Sequence, residues 1–196
     1  MHNILQKYIP KHAVSPVCEL LTSVPVTMKI VKKRTSKHGD FRVLPNGKMQ
    51  ITVNNDLNPY QFLITLIHEL AHFHIYYEKK RDKKPHGSQW KEQFRLLMLP
   101  FLNPEVFPSE LLPHLANYLK NPKASTSSDL QLSYALKQFD VMSGKSFIFE
   151  LSEGNRFTFK NKTYVLGKKR RTRFECLNVH NNRIYLFNQN AEIERI

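Results

Sequence analysis

The stretch from Asn58 to Lys79 places the strongest constraint on what this chain can fold into. Phe62, Leu63, Leu66, Ile67 and Leu70 recur at helical spacing, which predicts a helix with a buried face. Asn58 can cap that helix and Pro59 suits its first turn. Gln61 sits where a capping box places its return hydrogen bond. Into this apolar helix the sequence sets His68-Glu69-Leu70-Ala71-His72. His68 and His72 are four residues apart, so they project from one face, a turn apart. Burying two imidazoles and a carboxylate without partners is costly, and a cation satisfies them.

The spacing specifies the chemistry. Two histidines one turn apart on a helix bind zinc, and the glutamate after the first serves as general base. A third ligand is needed. The longer motif that places Gly and His three and six residues beyond the second histidine fails, because Ile75 and Glu78 stand there. Two candidates are left. Glu92 lies at a compatible distance on the following helix. His86, favoured here, stands beside Gly87, which allows a tight turn back toward the motif helix. His74 falls on the opposite side of the helix from His72. With three His ligands, zinc keeps a fourth position for water and lowers its pKa toward ~7, and Glu69 takes the proton.

The flanking sequence predicts an α+β fold. Residues 24–33, 41–44 and 49–54 read as three antiparallel strands ahead of the motif helix, the last two joined by a Pro45-Asn46-Gly47 turn. Short helices are expected over 3–9 and from Ser15 to about Leu21. After a charged stretch over 79–85, Ser88 can cap a helix over 89–99. Prolines break the next stretch into short helical pieces that include 109–120. The polar segment 123–139 reads as a linker. Residues 140–196 then alternate aromatic and β-branched residues between turns, which predicts a small antiparallel module of about five strands. The expected organisation is a first domain over 1–122, the linker, and a β module over 140–196.

Charge narrows the partners. Thirty Lys and Arg against sixteen Asp and Glu leave +14, a balance that attracts polyanions, and nucleic acid, DNA above all, is the expected one. The most basic segment carries Lys168, Lys169, Arg170, Arg171 and Arg173. On a strand, Lys169, Arg171 and Arg173 would share one face and could meet phosphates; the same residues could equally be a solvated edge. Cys18 and Cys176 are the two cysteines, which argues for a reducing, cytoplasmic compartment without a disulfide framework. No apolar run approaches the ~18–20 residues of a membrane span, and no signal peptide is expected.

Strands ahead of HELAH, a basic loop, and then His86-Gly87-Ser88-Gln89-Trp90-Lys91 opening a helix resemble the SprT-like zinc metallopeptidase domain over roughly 20–120. The resemblance implies a zincin-like fold, His68, His72 and His86 as zinc ligands, and Glu69 as the catalytic glutamate. It also implies peptide-bond hydrolysis, on DNA-associated or DNA-crosslinked proteins. Many members end in a four-cysteine zinc ribbon. Here the C-terminal module holds only Cys176, so an aromatic core must support it instead. Two other functions stay open: a nucleic-acid-binding protein with a structural or nearly inactive zinc site, and hydrolysis of a small molecule or non-peptide amide.

Overall fold

The computed structural model describes residues 1–79, 84–140 and 144–196. The chain forms two compact units, Met1–Asp140 and Val141–Ile196, and each has its own hydrophobic core. The architecture is α+β.

In the first unit, helices α1 (His2–Leu5) and α2 (Val14–Thr22) lead into strands β1 (Val26–Val31), β2 (Gly39–Val43) and β3 (Met49–Asn54). The turn between β2 and β3 matches expectation, with Gly47 in the left-handed region at φ 78° and its N–H donating to the Leu44 carbonyl at 2.8 Å. The sheet differs from the expected three antiparallel strands. Its order is β1-β3-β2, with β1 parallel and β2 antiparallel to β3. Burial explains the order. From Gln50 to Asn54 every β3 residue is buried, so this strand takes the centre, and half-exposed β1 and β2 become the edges.

Helix α3 (Pro59–Tyr77) crosses this sheet and is buried almost all round, with Phe62 through Ile67 inside. A helix apolar on every side belongs in the middle of a core. Asn58 caps it by accepting from the Gln61 N–H at 2.9 Å. The expected return bond of a capping box does not form. The Gln61 side chain instead donates to Thr65 Oγ1 and Thr126 Oγ1, at 3.2 and 3.0 Å. Helix α4 (Ser88–Met98) packs Trp90, Phe94, Leu97 and Met98 inward, and Gly87 rather than Ser88 is its N-cap. Helix α5 (Leu112–Lys120) comes next.

The segment 123–139 is not a linker. It holds helix α6 (Leu130–Lys137), capped by Asp129, with Leu132 and Leu136 in the first core. Asn58 ties it down, donating from Nδ2 to the Leu136 carbonyl at 2.9 Å and to Asp140 Oδ1 at 2.6 Å. The polar residues that suggested a linker are spent on caps and hydrogen bonds. Asn58→Ala removes a cap and orphans buried partners, so denaturant unfolding should show a loss of about 2 kcal/mol.

The second unit is an antiparallel sheet of six strands: β4 (Lys145–Phe147), β5 (Arg156–Phe159), β6 (Lys162–Lys169), β7 (Arg173–Asn178), β8 (Ile184–Asn188) and β9 (Glu192–Arg195). The unforeseen strand is β9. It is four residues long and three of them are charged, so no alternating apolar pattern announces it. Phe157, Tyr164, Phe174 and Phe187 build the core around buried Cys176. Burial pushes the Cys176 thiol up to about 12, which makes it an inert packing group. No helix among the described residues is long and apolar enough to cross a membrane.

Candidate metal centre

Helix α3 places His68 and His72 on one face, as their spacing requires. His86 arrives from the residues just before α4. The three Nε2 atoms converge, with His72 at 3.2 Å from His68 and 3.0 Å from His86, and His86 at 3.2 Å from His68. Among the described residues they form the one group of His, Cys, Asp and Glu side chains able to hold a metal ion together. In a tetrahedral zinc site with bonds of about 2.0–2.1 Å, neighbouring nitrogens stand about 3.3 Å apart, so this triangle fits one ion of that size. Glu92 is exposed on α4 and outside the cluster. Gly87 has φ −73°, which any residue adopts, so the turn that delivers His86 does not rest on glycine's conformational freedom.

Burial and mutual proximity keep the imidazoles neutral. Burial, then His72 and His86, hold His68 down to about 2. Burial and His86 hold His72 down to about 4, and burial with Lys91 lowers His86. Neutral imidazole is the ligating form, so the site is prepared for a cation across the neutral range. His74 takes no part. It meets Glu78 at 3.2 Å on another face of α3.

Trp90 is a site residue to which motif reading assigned no role. It is fully buried, its ring centroid lies 4.6 Å from His68 and from His86 and 5.3 Å from His72, and it stacks on Phe94. One indole thus packs against all three imidazoles and restricts their rotation. Its place in the His86–Lys91 stretch, four residues after the third ligand, was the available signal.

Glu69 is buried beside the triad. Burial first and Asp40 second raise its carboxyl to about 7, opposed by a hydrogen bond from the Phe41 N–H and by Lys37 and Arg34. A carboxyl poised near neutrality is suited to proton transfer. Strand β2 supplies this environment, and Gly39 makes it possible. A Cβ on Gly39 would lie 2.7 Å from Glu69 Oε1 and 2.7 Å from Thr65 Cγ2. The triad and Glu69 open into a cleft of 680 Å³ whose other walls include Phe41, Ile75, Tyr76 and Pro85, with Lys79 and Lys84 beside them. The basic residues at 80–83, expected between the second and third ligands, lie outside the described residues.

The basic segment of the second unit has a different form from the expected strand face. Lys168 and Lys169 end β6, Arg173 begins β7, and Arg170 and Arg171 lie in the turn between them. The Arg170 N–H donates to the Arg173 carbonyl at 2.7 Å, so the run closes a hairpin and does not present Lys169, Arg171 and Arg173 in one row. All five are exposed; Arg170 is ion-paired with Glu175, and Lys169 lies 5.7 Å above the Phe174 ring.

Comparison with known proteins agrees with the geometry. Residues 20–106, which span β1 through α4 and so include His68, Glu69, His72 and His86, match the model of the SprT-like family. No curated protein and no solved structure matches the chain. The segment that carries the converging histidines is thus similar to the SprT-like family.

Proposed function

We propose that this protein is a zinc-dependent endopeptidase of zincin-like fold, acting on proteins held on nucleic acid. The observation that carries the reading is the Nε2 triangle with Glu69 opening into the same cleft. His68, His72 and His86 would hold the metal. When bound, it supplies Lewis-acid polarisation of a carbonyl and acidifies water at the site.

The chain's own groups do the rest. Glu69 takes a proton from the attacking water on a carboxylate oxygen and passes it to the departing amide nitrogen. The Phe41 N–H holds that carboxylate in place. Strand β2 is an edge of the first sheet, and residues 39–41 line the cleft, so its outer edge suits an extended polypeptide. A purely structural metal site has no use for a near-neutral carboxyl beside it, which disfavours a binding-only role. The nucleic-acid clause is supported by the net charge of +14 and by Lys79 and Lys84 on the cleft.

Two measurements test this. Zinc-loaded protein should cleave a DNA-binding protein substrate more rapidly with single-stranded DNA present, lose cleavage on chelation, and regain it on zinc addition. Fully loaded protein that yields no fragments contradicts the reading. Gly39→Ala should disturb the chemistry more than the metal. The added methyl crowds Glu69 and Thr65 and forces both to shift, so the variant should lose some folding stability and its cleavage should fall by roughly 10–100-fold, while the folded protein still loads zinc on the three histidines.

A further inference from the structure

A second cavity of 280 Å³ meets the first at Gly39, His68, Glu69 and Ala124. A chain held across Glu69 in the larger cleft therefore has the smaller cavity as a neighbour. Its remaining walls are unlike those of the larger cleft. Thr35, Ser36 and Lys37 come from the loop between β1 and β2, Thr65 from α3, and Ser125 and Thr126 from the segment ahead of α6. With His38 and Ile64 completing it, the pocket carries several hydroxyls and the Lys37 ammonium, and Glu69 stands on the side it shares with the larger cleft.

Its walls are held by buried groups. Asn54, buried at the end of β3, donates from Nδ2 to the carbonyls of Arg34 at 3.2 Å and Lys37 at 2.9 Å, and accepts from Arg34 Nε at 2.8 Å. On the other side, Thr126 is bonded to Gln61 of α3, and its carbonyl accepts from Ser133 Oγ at 2.9 Å. The Ser125 wall lies beyond the family-matched segment 20–106, whereas the β1–β2 loop and α3 walls lie within it.

The charges favour an acidic occupant. Asp40 has Lys37 Nζ at 2.7 Å and Arg42 Nε at 4.0 Å, so two cations face one carboxylate. Asp40 lines the larger cleft, whereas Lys37 lines the smaller. The Lys37 side chain is 44% exposed, an ion pair of that exposure is weak, and an ammonium carries three donors. Lys37 can therefore keep Asp40 and still meet an incoming carboxylate.

We propose that the smaller cavity is a substrate subsite that takes an acidic side chain close to the scissile bond, with Lys37 as its counter-charge. The inference rests on the peptidase reading, because the subsite is defined by a chain lying across Glu69. The Ser36 hydroxyl supplies a further donor to the same carboxylate.

The test uses full-length protein and alanine-rich peptides in which one Glu, Gln or Lys is stepped along the sequence, with cut sites mapped by mass spectrometry. Wild type should cut at a fixed offset from Glu, with kcat/KM roughly tenfold above the Lys peptides. Lys37→Glu should reverse that order. Ser125→Trp, which fills the pocket, should erase the discrimination without changing zinc content. A wild type indifferent to the three residues, or a Lys37→Glu protein that still prefers Glu, overturns the proposal. The same peptides are also titrated into zinc-loaded Glu69→Gln protein by fluorescence anisotropy. If no peptide is cut by wild type, the peptidase reading fails, and anisotropy alone decides the subsite. Tighter Glu-peptide binding that Lys37→Glu reverses supports it, and equal binding of all peptides overturns it.

Discussion

Glu69→Gln is expected to keep its zinc and lose roughly 10²–10⁴-fold in cleavage rate, the usual loss for removing a general base. The same variant should be more stable than wild type in the metal-free form. Folded Glu69 holds its proton up to pH about 7, whereas the unfolded carboxyl releases it near 4.5. The folded protein therefore binds the extra proton in that window, and wild-type stability falls as pH rises from 4.5 through 7. Glutamine has no such dependence. At pH 8 the variant should gain up to about 3 kcal/mol in urea unfolding, and the gain should vanish toward pH 4. The histidines act in the other direction. His68 and His72 refuse protons that their unfolded counterparts accept near 6.5, so metal-free stability falls as pH drops below that value. A variant that cleaves at the wild-type rate would remove Glu69 from the chemistry.

His86→Ala should lower zinc affinity by at least roughly 100-fold, more than the loss expected of a group that only orients a ligand. His86 lies ahead of α4, is only partly buried and stacks its edge on Trp90, so the helix and the core beneath it should survive. Circular dichroism should be unchanged while competition against a chromophoric chelator shows the loss. The comparison with Glu92→Gln decides the third ligand. Glu92 is exposed and apart from the cluster, so that variant should bind zinc like wild type. Retained affinity in His86→Ala together with a loss in Glu92→Gln would transfer the role to the carboxylate.

The features legible in the sequence obey local rules. The motif helix, its Asn58 cap and the turn at Gly47 depend on residues a few positions apart, and all three are in the fold. The convergence of His86 was legible from its distance to HELAH and the helix start after it. The features that escaped depend on residues far apart in sequence. The central place of β3 reflects which strand is covered on both faces, and local alternation does not report that. The segment 123–139 reads as a linker because polar side chains look the same in solvent and in a buried network. Asn58 and Gln61, more than sixty residues earlier, help bind Thr126 and the end of α6 into the first unit. Gly39 carries no motif at all, and its role appears only when β2 is laid against Glu69. The basic run after Gly167 read as a strand because alternation was assumed to continue through Arg170 and Arg171, where the chain turns.

The central claim is that three imidazoles grip one zinc ion beside Glu69. X-ray absorption at the zinc edge of the loaded full-length protein tests it most directly. The expected spectrum shows three imidazole nitrogens, with the outer-shell scattering of their rings, and one oxygen ligand at about 2.0–2.1 Å. Scattering from sulfur at about 2.3 Å, or an imidazole count below three, would contradict the account.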